Sequence, residues 1–144
     1  MTQNEKELLL KDLCARLPYG VKVRYSSYEK FITCTLHAIN PVYDIVDLWS
    51  KNACFNPVDT SKIKPYLFPL SSLKEEHIFE INNILGKDFE IDKYGITDLI
   101  RNRRTCLSYL ELDALFEYFN KYHFDYRGLI EKGLANDATN LNIY

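Results

Sequence analysis

The chain has 144 residues, a length that suits one domain able to bury a core without disulfide or metal support. Hydrophobic residues make up 47% of it and charged residues 26%, which excludes a wholly disordered chain. The formal net charge of −2 excludes a strong attractive field for a polyanion, and no apolar run reaches the ~20 residues of a membrane-spanning helix, so no membrane partner is expected.

The first element predicted is a helix. Thr2 and Glu5 have the spacing of a capping box, and Pro18 must end the helix that they open. The apolar face expected for this helix comprises Leu10, Leu13, Cys14 and Leu17.

A region with the pattern of β-strands follows. In residues 21–25, apolar side chains alternate with Lys22 and Arg24, which predicts a strand with one face in water. Residues 26–29 are expected to form a hairpin loop, and residues 31–39 and 42–49 form two further predicted strands.

Prolines determine the prediction for the next segment. Residues 52–61 are expected to be a loop, because an Asn-Pro pair within them favours a turn. Residues 62–70 are expected to be extended, since Pro65 and Pro69 exclude a helix. These prolines also favour a position at the edge of the sheet or beyond a bulge.

The second half of the chain has helical periodicity. Ser72 and Glu75 form a second capping box, and Gly86 suits the end of the helix that follows. A third capping box, Ser108-x-x-Glu111, predicts a helix that runs to about residue 122.

Residues 87–106 leave several alternatives open. Phe89 and Ile91 fit a short strand, Gly95 and the tyrosine before it fit a turn, and Thr97 suits the cap of a short helix.

The C-terminal segment contains the signals of a last short helix. Asp125 suits its cap and Gly133 its end. Leu129 and Leu134 would then form the hydrophobic pair of a Schellman turn. The tail from Asn136 onward is polar and is expected to fray.

Together these patterns predict a single α+β domain over residues 1–144. It consists of an N-terminal helix, a small antiparallel sheet curled like a half-barrel, and a helical C-terminal half. Residues 1–70 would form the helix and the sheet, and residues 71–144 would be mainly helical.

The cysteines and histidines do not form a recognisable metal motif. Cysteines at positions 14, 34, 54 and 106 stand apart, and the polar N-terminus lacks a secretory signal, so free buried thiols in a cytoplasmic protein are expected. Cys34 and His37 have a C-x-x-H spacing, but residues three apart in a strand point to opposite faces. No metal or other cofactor is predicted.

Catalytic patterns are also lacking in the sequence. There is no nucleophile elbow, phosphate-binding loop or dinucleotide fingerprint. His123, Asp125 and Arg127 alternate in a way that would suit an acid–base site, but a helix end, a cap and a local ion pair explain them better. The sequence therefore predicts no catalytic residue and a protein that is not an enzyme.

Two binding surfaces are predicted instead. The aromatic share of 14% favours a contact surface for another macromolecule, formed by Tyr25, Tyr28, Tyr43 and Trp49. The alternative is a nucleic-acid or nucleotide site at Arg101, Arg103 and Arg104, because arginine beside tyrosine can hold phosphates and stack on bases. Arg24 with Tyr25 and Tyr28 forms a weaker version of the same pattern.

Three blocks of sequence carry a resemblance to a known group. They are KDLCARLPYGV at residues 11–21, KPYLFPLSSL at residues 64–73 and HFDYRGLIEKGLA at residues 123–135. Together they resemble a group of uncharacterised small proteins of phages, prophages and mobile elements of gut Bacteroidales. The resemblance implies a bacterial cytoplasmic setting, in which the partner of the aromatic surface would be a host or phage protein, and it carries over no site residue. Self-association, by pairing of the strand at residues 62–70 with a second copy, is a further alternative.

Overall fold

The computed structural model describes residues 1–27, 30–86, 89–101 and 107–144, with Arg101 described by its backbone alone. The chain is of the mixed α+β class, with an N-terminal helix, a sheet and later helices, as the sequence predicts. It divides into two compact units. Unit 1 comprises Met1–Leu67 and Arg127–Tyr144, and unit 2 comprises Phe68–Tyr126. A single domain over the whole chain stays a prediction.

The first helix, α1, spans Gln3–Arg16 and has the predicted capping box. The Thr2 N–H donates to a Glu5 carboxylate oxygen at 2.6 Å, and the Glu5 N–H donates to the Thr2 hydroxyl at 3.3 Å. The predicted apolar face is wrong in part, because Cys14 is exposed. The buried face of α1 includes two charged residues, Asp12 and Arg16, whose mutual ion pair allows them to be buried.

Unit 1 contains an antiparallel sheet with the strand order β4-β3-β2-β1-β5. The strands are β1 (Lys22–Ser27), β2 (Lys30–Asn40), β3 (Ile45–Trp49), β4 (Cys54–Asp59) and β5 (Ile63–Pro69). The prediction of a loop over residues 52–61 is wrong, since most of that segment forms β4. Asn56 and Pro57 lie where the register of β4 shifts against β3, so the ladder accommodates them at an irregularity and not in a turn.

β5 has neighbours on both sides, so its predicted edge position is wrong. β1 lies on one side, and two short parallel strands lie on the other. Strand β6 (Phe124–Asp125) pairs with the end of β5 in unit 2, and β7 (Asn136–Asp137) pairs with Tyr66 and Leu67 in unit 1. The sheet is therefore mixed and not purely antiparallel, and pairing of β5 with a second copy of the chain stays a prediction.

The C-terminal tail is held in place and does not fray in the structure. Beyond β7, the Ala138 N–H donates to the Leu67 carbonyl at 2.8 Å. The Tyr144 hydroxyl donates to the Tyr66 carbonyl at 2.8 Å and accepts from the Lys22 N–H at 3.1 Å. Burial raises the pKa of this hydroxyl. The prediction of a frayed tail failed because these partners are far away in the sequence.

The core of unit 1 is formed by α1, the inner face of the sheet and the last turn of the chain. Its fully buried members include Leu9, Leu13, Val23, Leu48 and Leu129. The last turn is not the predicted helix, and Asp125 belongs to β6 and does not cap one. The two hydrogen bonds of a Schellman turn are nevertheless present. The N–H of Leu134 donates to the carbonyl of Leu129 at 2.8 Å, and the N–H of Gly133 donates to the carbonyl of residue 130 at 3.0 Å.

In its described residues, unit 2 contains three α-helices, the end of β5, a 3-10 turn at Leu70–Ser72 and β6. The helices are α2 (Glu75–Leu85), α3 (Lys93–Arg101) and α4 (Tyr109–Lys121). Their core includes Ile81, Leu85, Ile96, Leu115 and Phe119.

The helix ends of unit 2 agree with the sequence in part. The Ser108–Glu111 box and the Gly86 cap are confirmed. The Ser72 box is wrong, because the Ser72 hydroxyl donates to the carbonyl of residue 69 at 2.7 Å within a 3-10 turn that precedes α2. The turn predicted at Gly95 and the cap predicted at Thr97 are also wrong. Both residues lie inside α3, which the Asp92 carboxylate opens by accepting from the Gly95 N–H at 2.7 Å.

Candidate functional site

The two faces of the sheet in unit 1 differ in character. Side chains alternate along each strand, so Val23 of β1 and Cys34 of β2 enter the core while Lys22, Arg24 and the residues in phase with them point outward. The register places Arg24 opposite Lys64 of β5 on one side and Thr33 of β2 on the other. We call the outward side chains of β1, β2 and β5, together with Trp49 of β3, the basic face.

The basic face is positively charged although the whole chain is not, and Asp47, which is in phase with Trp49 on β3, is the carboxylate beside it. β1, β2 and β5 contain no Asp or Glu, and their cations are Lys22, Arg24, Lys30 and Lys64. Within the ranges that the structure describes, Lys22, Arg24 and Lys64 form no ion pair with a carboxylate. The positive charge of these three side chains is therefore not neutralised by a neighbour in the described chain.

Two exposed rings lie among these cations. Phe31 is 67% exposed, and the guanidinium of Arg24 lies 4.5 Å from the centre of its ring. Trp49 is 51% exposed and stacks on His37, with 3.7 Å between the ring centres and 16° between the planes. His37 lies where the register of β2 shifts against β3. The stack orients the indole and leaves about half of Trp49 open to a ligand.

A cleft of about 800 Å³ opens on the basic face beside Trp49. Its floor follows one cross-strand row, in which Lys22 is opposite Thr35 and Thr35 is opposite Trp49. The Lys22 ammonium donates to the Thr35 hydroxyl at 2.7 Å, so its position over the floor is fixed. An ammonium has three donors, and two of them are not used by this contact.

Two walls bound this cleft. The first is the turn after β3, where the Ser50 hydroxyl accepts from the Ala53 N–H at 3.2 Å and Lys51 and Asn52 form the tip. The second is the C-terminal tail, which contributes Asn142 and Ile143. The cleft thus combines an aromatic ring, two ammonium groups, hydroxyls and side-chain amides.

The four predicted aromatic residues do not form one surface. Tyr25 is half-buried on the inner face of the sheet, with its ring centre 5.0 Å from that of Phe55, whereas Trp49 lies on the outer face. Tyr43 is 72% exposed in the turn between β2 and β3. Tyr28 lies outside the described residues. Whether any of these rings contacts a partner stays a prediction.

The predicted arginine site falls largely outside the described residues. Arg103 and Arg104 are not described, and Arg101 is known only as the last residue of α3. The role of this segment in binding phosphate therefore stays a prediction.

The three residues that would suit an acid–base site belong to different units. His123 and Asp125 are buried in unit 2, whereas Arg127 belongs to unit 1 and lies 3.2 Å from the Asp12 carboxylate. The sequence did not indicate this contact with α1, and the local ion pair expected for Arg127 stays a prediction. In the described part of the chain, no three His, Cys, Asp or Glu side chains are grouped so as to hold a metal ion.

The cysteines correct another prediction. Cys14, Cys34 and Cys54 are free thiols, but only Cys34 is buried, and burial raises its pKa. Cys54 is exposed and lies opposite Trp49 in the ladder between β3 and β4. Cys106 lies outside the described residues.

Unit 2 has a smaller cleft of about 490 Å³ beside α2. Its polar groups include Glu90, Asp92 and the amide of Asn82. The Asn82 amide is engaged on both sides, since it donates to the Ile91 carbonyl and accepts from the Ile91 N–H, each at 3.0 Å. The carboxylates of Glu90 and Asp92 distinguish this cleft from the basic face, and the Asn82 amide serves to hold the backbone of Ile91.

The sequence prediction missed Phe31, His37 and Lys64 as members of a site. The sequence does contain a signal for a basic surface. Alternation places Lys22 and Arg24 on the face of a strand that is in water, and the predicted strand segments 21–25, 31–39 and 62–70 contain no carboxylate. What the sequence could not provide was the strand order that brings these residues together across β2, β1 and β5.

Comparison of the chain with protein-family models, curated protein sequences and solved structures finds no match. None of the helices in the described ranges has the length and apolar character needed to cross a membrane.

Proposed function

We propose that this protein binds single-stranded nucleic acid on the basic face. The observation that supports this most directly is the set of three neighbouring strands that present Lys22, Arg24 and Lys64 with no carboxylate, beside the exposed rings of Phe31 and Trp49. Proteins that bind single strands without strong sequence preference combine cations that contact the backbone with rings on which bases stack.

A single strand fits this face better than a duplex does. In a duplex the bases are already stacked on each other, so the rings of Phe31 and Trp49 would gain nothing from them. In a single strand the bases are available to aromatic side chains, and exposed rings on a β-sheet surface can stack with them. Neighbouring strands are about 4.8 Å apart, which places Lys22 about 10 Å from Trp49 across β2. This span suits a backbone phosphate and its own base.

The charge on this face sets the expected dependence on salt. Neutralising one phosphate of a single strand contributes about −0.7 to the slope of log K against log salt concentration. If Lys22, Arg24 and Lys64 each contact one phosphate, the slope is about −2. Removing two of these cations is expected to reduce its magnitude by about 1.4.

The test is fluorescence anisotropy with labelled twelve-residue oligonucleotides, in DNA and RNA forms, over a range of salt concentrations. The variant Lys22→Ala/Lys64→Ala should weaken binding and flatten the slope. The matched control, Lys11→Ala/Lys132→Ala, removes the same charge from exposed sites outside β1, β2 and β5 and should leave both unchanged. Equal effects of the two double variants would refute the proposal.

A second variant tests the aromatic contribution. Stacking of a base on an aromatic side chain contributes about 1–3 kcal/mol. Trp49→Ala should therefore weaken binding about 5- to 150-fold, and Trp49→Phe should recover part of the loss. Binding that is unchanged in Trp49→Ala would mean that the strand does not lie on this ring.

A protein partner is the second candidate, and one observation favours it. Val42 and Tyr43 are 79% and 72% exposed at the turn between β2 and β3. A host or phage protein could contact them. Support requires a captured protein that survives nuclease treatment, binds the purified chain and is lost with Val42→Ser/Tyr43→Ser.

The setting is part of the proposal. The three resembling blocks suggest a protein of a phage or mobile element of gut Bacteroidales, acting in the bacterial cytoplasm. Such a protein would bind its nucleic acid without chemical turnover. The test of this part is incubation with labelled strands, which are expected to be recovered intact.

A further inference from the structure

We infer that the cleft beside Trp49 holds one nucleotide unit, with its base on the indole and its phosphate between Lys22 and Lys51. This inference rests on the proposed function, because it names what the same face recognises at one place. The ligand class is a nucleoside monophosphate, either free or as the end of a single strand.

The base position follows from the indole. His37 covers one side of Trp49 in a stack at 3.7 Å, and Trp49 lines the cleft and remains 51% exposed. A base on the other side would extend the stack to three rings, and the histidine would hold the indole in the required orientation. Aromatic stacking accepts any base. The amides of Asn52 and Asn142 lie in the walls, where they can donate to or accept from a base edge.

The phosphate position follows from the two ammonium groups. Lys22 is held by the Thr35 hydroxyl at 2.7 Å on one side of the cleft, and Lys51 is at the tip of the turn after Trp49. None of the described residues that line the cleft is an Asp or Glu. A phosphate between Lys22 and Lys51 would receive charge-assisted hydrogen bonds, which are about twice as strong as neutral ones.

The tail closes the cleft on one side. Tyr144 anchors the chain end by its two hydrogen bonds to Tyr66 and Lys22, and Asn142 and Ile143 are thereby held as a wall. A strand crossing the basic face would meet this wall. The geometry therefore favours the end of a strand or a free nucleotide over an internal nucleotide.

The experiment uses the fluorescence of Trp49, the only tryptophan of the chain. The probes are adenosine 5′-monophosphate, adenosine, inorganic phosphate, and an oligoadenylate with either a 5′-phosphate or a 5′-hydroxyl. We expect the monophosphate to quench the indole, and adenosine to bind at least about tenfold more weakly, because it lacks the charged group. Lys51→Ala should weaken the monophosphate to a similar extent, whereas Lys62→Ala, an exposed lysine outside the cleft, should not.

The outcomes separate this inference from the proposed function. Quenching by oligonucleotides but not by the monophosphate would overturn the nucleotide site and leave the binding face intact. Quenching by the monophosphate with no binding of any strand would overturn the proposed function and support the cleft. Equal binding of adenosine and the monophosphate would overturn the phosphate position. Tighter binding of the 5′-phosphorylated strand identifies a strand end as the occupant, and the tightest binding by the monophosphate identifies a free nucleotide.

Discussion

Replacing Asp12 by Ala is expected to destabilise unit 1 strongly. The Asp12 carboxylate is fully buried and accepts two hydrogen bonds from Arg16, at 2.7 and 3.0 Å, while Arg127 lies 3.2 Å away. Without it both guanidinium groups lose the carboxylate that they share, and removing one partner of a buried ion pair costs about 3–5 kcal/mol. Arg16 has no access to water, but the Arg127 side chain is 19% exposed and can reach it, which favours the lower part of that range. We expect a loss of about 3–4 kcal/mol.

The assay is equilibrium unfolding in urea, followed by tryptophan fluorescence. Trp49 lies in unit 1, so the signal reports the unit that contains the ion pairs. Glu7→Ala removes an exposed carboxylate from the same helix and should change stability by less than about 0.5 kcal/mol. The variant Asp12→Leu/Arg16→Met/Arg127→Met replaces the whole cluster by apolar side chains and should recover most of the loss. If Asp12→Ala were no less stable than Glu7→Ala, the cluster would not support this unit.

Three further predictions concern local features. Gly95→Ala adds a Cβ within α3 that meets the side chain of Ile91, which precedes the helix. The overpacking cost of about 1–3 kcal/mol should outweigh the helix preference of Ala. Thermal unfolding followed by circular dichroism should therefore show a lower Tm. Hydrogen bonds from Ser108 hold the pKa of Glu111 below its ordinary value, so this cap stabilises the fold at neutral pH and is lost as the pH falls through the lowered pKa. The difference in unfolding midpoint between the wild type and Glu111→Gln should therefore shrink from pH 7 to pH 3, and a constant difference would contradict the reasoning. Tyr144→Phe removes two hydrogen bonds that fix the tail and should cost about 1–2 kcal/mol, with faster amide exchange at Lys22 and unchanged exchange in α4.

The elements that could be predicted from the sequence are those fixed by nearby residues. The boxes Thr2–Glu5 and Ser108–Glu111 and the cap at Gly86 each depend on atoms within one helical turn, and all three are present. The box at Ser72 failed because a competing local hydrogen bond, from its hydroxyl to the residue 69 carbonyl, forms instead. Propensity alone does not decide between two such local alternatives.

Features that depend on distant partners could not be predicted in this way. Strand β4 contains an Asn-Pro pair that favours a turn, yet pairing with β3 makes it a strand. Asp12 and Arg16 occupy the buried face of α1 because Arg127, near the other end of the chain, completes their ion pairs. Tertiary contacts of this kind override the local preference, and the order of strands that creates them is not encoded in any short motif.

The candidate site was only partly predictable for the same reason. Trp49 and Arg24 were singled out by residue type, and both lie on the basic face. Tyr25 was grouped with them by its position in the sequence, although alternation along β1 places it on the opposite face from Arg24. Lys64 joins the site only through the pairing of β5 with β1. Residue type identified single members of the site, and the sheet register was needed to assemble them.

The contrast between net and local charge determines how such a protein can bind a nucleic acid. The chain as a whole carries −2, so association should lack electrostatic steering and proceed at roughly 10⁵–10⁶ M⁻¹s⁻¹. Affinity must then come from contacts that slow dissociation. Phosphate contacts by Lys22, Arg24 and Lys64 are available to any polyanion, but stacking on Phe31 and Trp49 is available only to unpaired bases. The preference for single strands over duplexes should therefore be carried by the two rings and lie in the dissociation rate. The variant Phe31→Ala/Trp49→Ala should therefore dissociate from single strands and from duplexes at similar rates.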